Sequence, residues 1–133
     1  MPSRLLRSAP YFPVADVAKL AAYYERTFGF RIEYTGGPPG APPVFAIVSR
    51  DGFPLMLRLV SDASRLRPSE KQGGSWDAFF WVDDAEALCS ELRSRGADVV
   101  YGPLVQSEYD MKEFAVRDPD GHVLGFGQEW KRA

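Results

Sequence analysis

The chain holds one histidine, His122, and one cysteine, Cys89, in 133 residues. A Ser-His-Asp or Cys-His nucleophile needs a base within hydrogen-bond reach and a third group to orient it. With a single histidine, and a cysteine set on an apolar stripe, neither constellation can be assembled. Cys89 has no neighbouring group that would stabilise a thiolate, so it reads as core packing. His122 follows an Asp-Gly turn and is expected to be a solvated loop residue. Carboxylates remain as candidates for proton transfer, foremost Asp77 and Glu113, and their role depends on what faces them.

The elements that position these residues come from an internal repeat. Phe45-Ala46-Ile47-Val48-Ser49-Arg50-Asp51-Gly52 aligns with Phe114-Ala115-Val116-Arg117-Asp118-Pro119-Asp120-Gly121. Upstream, Phe12-Pro13-Val14-Ala15-Asp16 aligns with Phe80-Trp81-Val82-Asp83-Asp84. Each block is followed by a helical pattern that stops at a glycine, Gly29 or Gly96. Val17, Leu20, Ala21, Tyr24 and Phe28 form one apolar stripe after a capping Asp16. Ala85, Leu88, Cys89 and Leu92 form the other, with Asp83 and Glu86 at capping-box spacing.

Three short β runs follow each helix: Arg31–Tyr34, Val44–Val48 and Leu55–Leu59, then Asp98–Tyr101, Lys112–Val116 and His122–Phe126. Asp51-Gly52 and Asp120-Gly121 mark tight turns, and the Gly- and Pro-rich stretch 36–43 must be a loop. The pattern predicts one domain over 1–133, built of repeats at about 8–60 and 76–128. The polar segment Ser61–Ser75 links them. Such a linker would let the units pair within one chain or exchange with a second.

Composition narrows the function. Sixteen basic against eighteen acidic side chains, with no basic run, argue against nucleic-acid binding. No stretch of about 18 apolar residues is present, so no membrane span or signal segment is expected. A lone cysteine excludes an intrachain disulfide and points to the cytoplasm.

The two strand–helix–three-strand units, the helix ending in Phe28-Gly29-Phe30, and Glu113-Phe114-x-x-x-Asp118-Pro119-Asp120-Gly121-His122 resemble the vicinal oxygen chelate superfamily. That group comprises glyoxalase I, extradiol dioxygenases and the fosfomycin- and bleomycin-resistance proteins. Tyr109-Asp110-Met111-Lys112-Glu113-Phe114 is most similar to the bleomycin-resistance-like branch. The resemblance implies an α+β fold of two tandem βαβββ modules whose curved mixed sheets form a cup.

It also implies four positions where the family's enzymes hold a divalent metal, and these fall on Ala9, Met56, Asp77 and Gly125. Two have no donor atom, and the Met56 thioether is too soft for magnesium, manganese or zinc. The expectation is therefore no metal and no cofactor.

By strand alternation from those positions, the cup would be lined by Tyr11, Met56, Arg58, Asp77, Phe79, Trp81 and Glu113, with Val44, Ala46 and Ala115 also inward. Phe12, Phe45, Phe80 and Phe114 would point to the helices, and Trp76 outward to a dimer contact. A flat aromatic lining with a few charges suits a planar aromatic or mildly cationic molecule. The resemblance thus implies a homodimeric, non-catalytic protein that sequesters such a compound, an antibiotic among the candidates. The alternative is a lyase or isomerase using Asp77 or Glu113 as general base.

Overall fold

The structure, a computed structural model describing residues 2–131, repeats one order of elements twice. In the first unit β1 (Tyr11–Val14) leads to α1 (Val17–Thr27), then β2 (Arg31–Gly36), β3 (Phe45–Arg50) and β4 (Phe53–Leu59). In the second, β5 (Ala78–Trp81) leads to α2 (Ala85–Ser94), then β6 (Asp98–Gln106), β7 (Met111–Arg117) and β8 (Val123–Glu129). Each unit makes a four-stranded sheet, in the orders β1-β4-β3-β2 and β5-β8-β7-β6. The first strand of each lies parallel to the last, and the remaining pairs are antiparallel. This is the expected α+β architecture. Between the units, Ala63–Arg65 and Ser69–Gln72 form short 3₁₀ turns.

Local chemistry explains the helix limits. The Asp16 carboxylate accepts from the Lys19 N–H at 3.0 Å, and Gly29 takes a φ of +72° beyond the last turn. In α2 the cap is Asp84, whose side chain accepts from the Ala87 N–H at 3.0 Å. The Asp83–Glu86 capping box is thereby corrected by one residue. Glu86 instead pairs with Lys112 across 3.0 Å. The first apolar stripe is buried as read, and the second likewise, Cys89 included, except that Leu88 is only partly buried.

Phe12, Val14, Ala46, Val48, Leu55 and Leu57 face the helices from the first sheet, and Phe114, Val116, Leu124 and Phe126 from the second. These residues form one core across both units. Phe30 meets Phe80 edge to face at 6.4 Å, and Phe80 stacks on Phe126 at 5.4 Å. Two polar contacts flank this junction. The Tyr24 hydroxyl donates to Asp118 at 2.7 Å, and Arg50 grips both oxygens of Glu91 at 2.9 and 2.8 Å.

Register departs from expectation in β3. Phe45 lies opposite Arg58 and Ile47 opposite Met56, whereas Ala46 lies opposite Leu57 in the core. Phe45 therefore leaves the helix side, and Ala46, with Val44 by parity, leaves the other. The cause is the hairpin loop. Arg50 pairs with Phe53 across Asp51-Gly52, but Asp118 pairs with His122 across Pro119-Asp120-Gly121, one residue longer. Aligning the two Asp-Gly turns shifts the strand by one, and a one-residue slip exchanges its faces.

Candidate functional site

Residues directly opposite in paired strands share a face, which defines the side of each sheet away from its helix. In the first unit Tyr11, Met56 and Ile47 form one row and Pro13, Arg58 and Phe45 the next. Tyr11 and Arg58 are exposed and Met56 is half-buried. In the second unit the rows are Phe79, Gly125 and Ala115, then Trp81, Gly127 and Glu113.

Two glycines on β8 are the floor of this second face. A Cβ at Gly125 would lie 2.6 Å from Trp76 Cδ1 and 2.7 Å from Phe79 Cδ2, and one at Gly127 would lie 2.6 Å from Phe79 Cζ. The rings rest directly on backbone. Trp76 and Phe79 are 4.6 Å apart between centroids, and Trp81 follows at 5.2 Å, edge to face and largely exposed. Trp76 is thus on the ring-lined side, correcting its expected outward position.

Under this wall Glu113 is fully buried. Its Oε2 accepts from the Tyr101 hydroxyl at 2.6 Å, and its Oε1 accepts from the Tyr109 hydroxyl. The Trp76 indole N–H, a donor only, donates to the Tyr101 oxygen at 2.9 Å. The donors therefore run in one direction, from indole to phenol to carboxylate. Among the described residues no Lys or Arg pairs with Glu113. Its neighbour Lys112 points the other way, to Glu86 and to the Trp130 ring at 4.4 Å. Burial and the bond to Glu113 raise the Tyr101 phenol well above its ordinary range, and the same causes push Tyr109 up to about 12.

Asp77 has a different task. Its Oδ1 accepts from the Ser69 N–H at 2.9 Å and its Oδ2 from the Val123 N–H at 2.8 Å. It ties the linker to the start of β8 and lines a cleft of about 160 Å³ with Tyr11, Phe12 and His122. It is not brought to Glu113. His122 is buried rather than solvated, stacked on Phe12 at 4.5 Å with Nδ1 2.8 Å from Asp118. The loop turns it inward because Asp118 also accepts from the backbone N–H of Asp120 and of His122.

The family's metal positions do not fit a metal. Ala9 and Gly125 have no donor, the space over Gly125 is filled by Trp76 and Phe79, and both Asp77 oxygens are held by backbone N–H groups. Among the described residues no three His, Cys, Asp or Glu side chains gather for one. Between the units, Pro10, Phe53 and Pro54 face Phe79, Phe80 and Trp81 across a pocket of about 340 Å³.

Sequence reasoning reached Phe79, Trp81 and Glu113 but missed Trp76, Tyr101 and Tyr109. One signal was available: a buried carboxylate needs donors, and two tyrosines precede it in the same hairpin. Gly125 and Gly127, two apart on one face, were a second signal.

The family model of the Glyoxalase/Bleomycin resistance protein/Dioxygenase superfamily matches residues 8–126, and the chain belongs to that family. No curated protein matches the sequence. Among solved structures, TnmS3, an antibiotic binding protein from Streptomyces sp. CB03234, is 26% identical with a TM-score of 0.65, covering 96% of this chain and 99% of its own. A glyoxalase/bleomycin resistance protein from the same organism is 28% identical, TM-score 0.62, over 89% and 96% of the two chains. TioX from Micromonospora sp. ML1 shares the fold at 21% identity and a TM-score of 0.69, over 90% and 94%.

Proposed function

We propose that this protein binds and sequesters a planar aromatic or mildly cationic small molecule without transforming it. The observation that carries the reading is the helix-free face of the second unit. There, three rings, Trp76, Phe79 and Trp81, lie over a buried carboxylate whose polar partners are phenols. Rings supply large, rigid apolar area, and few polar groups fix orientation. Tyr11, Met56 and Arg58 offer a second such face in the first unit, and Asp77 braces the frame between them.

Burying about 400 Å² of ligand would supply roughly 10 kcal/mol gross, against association costs of at least about 4 kcal/mol, which leaves room for micromolar affinity. The family match and the antibiotic-binding neighbour TnmS3 support a ligand-binding role, and an antibiotic is one candidate. The lyase or isomerase alternative is less well supported. A general base must reach the proton it abstracts, whereas Asp77 is tied to the backbone N–H groups of Ser69 and Val123, and Glu113 is fully buried beneath two phenols that a proton-abstracting pose would have to displace.

The functional unit in this reading is a homodimer, by pairing or exchange of units, because Tyr11, Tyr34 and Trp81 leave large apolar area uncovered on the helix-free faces. Light scattering in line with gel filtration would show twice the chain mass. The cytoplasm suits the single, buried free thiol. Among the described residues no helix is long and apolar enough to cross a membrane.

The test is a titration of planar compounds, quinoxaline and bleomycin-type included, followed by tryptophan emission. Saturable quenching by at least one, weakened by Phe79→Ala or Trp81→Ala, is expected. A flat response across the panel would remove the reading.

A further inference from the structure

We infer that Tyr109 is a removable cover on Glu113, and that the ligand is an organic cation whose nitrogen replaces the Tyr109 hydroxyl at the carboxylate. This rests on the binding face proposed above and names the class of molecule it selects.

The two phenols on Glu113 are not equivalent. Tyr101 is on β6, partly buried, and held from behind by the Trp76 indole N–H. Tyr109 is in the short connection between β6 and β7, where its backbone N–H reaches Gln106 O at 3.4 Å and its residue is half exposed. Moving Tyr101 would break the Trp76 bond as well. Moving Tyr109 breaks one side-chain bond and opens Glu113 Oε1.

A buried carboxylate with no cationic partner gains most from a positively charged donor, since charge-assisted bonds are about twice as strong as neutral ones. The surroundings favour the same class. Trp76, Phe79 and Tyr101 gather beside the carboxylate, and aromatic ring faces attract a desolvated cation. Glu108 and Asp110 flank Tyr109 at the rim and add negative charge to the approach. Lys112, the adjacent cation in sequence, is committed to Glu86 and Trp130 on the other side of the sheet. The Tyr109 hydroxyl thus stands in for a ligand donor while the site is empty, and competes with it on binding.

Calorimetric titration of the full chain with proflavine, a planar cation, and acridine, a neutral molecule of nearly the same shape at mildly alkaline pH, tests this. The wild type is expected to prefer proflavine by about tenfold or more. Glu113→Gln, which keeps the shape and removes the charge, should reduce the preference to within about threefold while acridine affinity stays put. Tyr109→Phe removes the competing hydroxyl and should tighten proflavine several-fold, with acridine unchanged. A purely structural role for Tyr109 would instead weaken both. Circular dichroism shows whether Glu113→Gln folds, and Tyr109→Phe decides the matter if it does not. Equal binding of the two dyes, or weaker proflavine binding in Tyr109→Phe, overturns the charge assignment and leaves the binding face standing. No binding of either dye overturns both.

Discussion

At Gly125 and Gly127 the absence of a side chain is itself the structural requirement, because aromatic rings occupy the space a Cβ would need. The alternation of β5 made Phe79 and Trp81 share a face legible, and the same logic placed Glu113 with them. It could not place Tyr101, because β6 carries two register shifts and a bulged strand breaks the period of two. Nor could it place His122, whose inward turn depends on a carboxylate four residues earlier. Gly125→Ala should destabilise the fold by about 1–3 kcal/mol through overpacking against Trp76 and Phe79. It should also shift tryptophan emission in the folded state. Urea unfolding with emission as the probe would measure both, and a wild-type midpoint would show that the rings yield without strain.

On the scale of elements, the helices were the most legible part, since a capping aspartate, an apolar stripe and a stop glycine agree in each unit. The ambiguity of adjacent acids at Asp83 and Asp84 is local: either could cap by type, and only backbone geometry decides. Asp84 is extended at φ −148° and accepts from the amide three residues on, so it carries the cap. Asp84→Ala should lower stability by about 1 kcal/mol and Asp83→Ala by less than about 0.5 kcal/mol. Equal losses in chemical denaturation would return the cap to a shared role. Strand faces were harder than helix faces for a physical reason. A helix tolerates a shift of one residue with a rotation of its stripe, whereas a strand exchanges inside for outside, as β3 did between Phe45 and Ala46.

At the scale of the whole molecule, the two units are held by side chains from opposite halves, and one of these contacts titrates. The Asp118 carboxylate accepts from the Tyr24 hydroxyl of the first unit and faces His122 Nδ1 of the second, whose ring stacks on Phe12 of the first. Because Tyr24 can only donate there, Asp118 is the acceptor and Nδ1 carries the hydrogen. Burial alone would lower the imidazole pKa, but the hydrogen bond and charge of Asp118, with Asp77 and Asp120 nearby, outweigh it and raise it. The folded state therefore holds the extra proton more tightly than the unfolded chain. The resulting stability is fully present below the unfolded value of about 6.5 and is lost as pH rises through the raised folded value. His122→Phe, which keeps a ring on Phe12 and removes the titration, should be less stable than wild type at low pH. The difference should narrow across that interval. Thermal unfolding of both proteins at matched ionic strength measures it, and parallel curves would mean that the histidine is held for its shape alone. Tyr24 is fully buried, and its phenol is raised well above its ordinary range by burial and by Asp118. It stays protonated throughout that interval, so the loss belongs to the imidazole and to the joint between the units that it bridges.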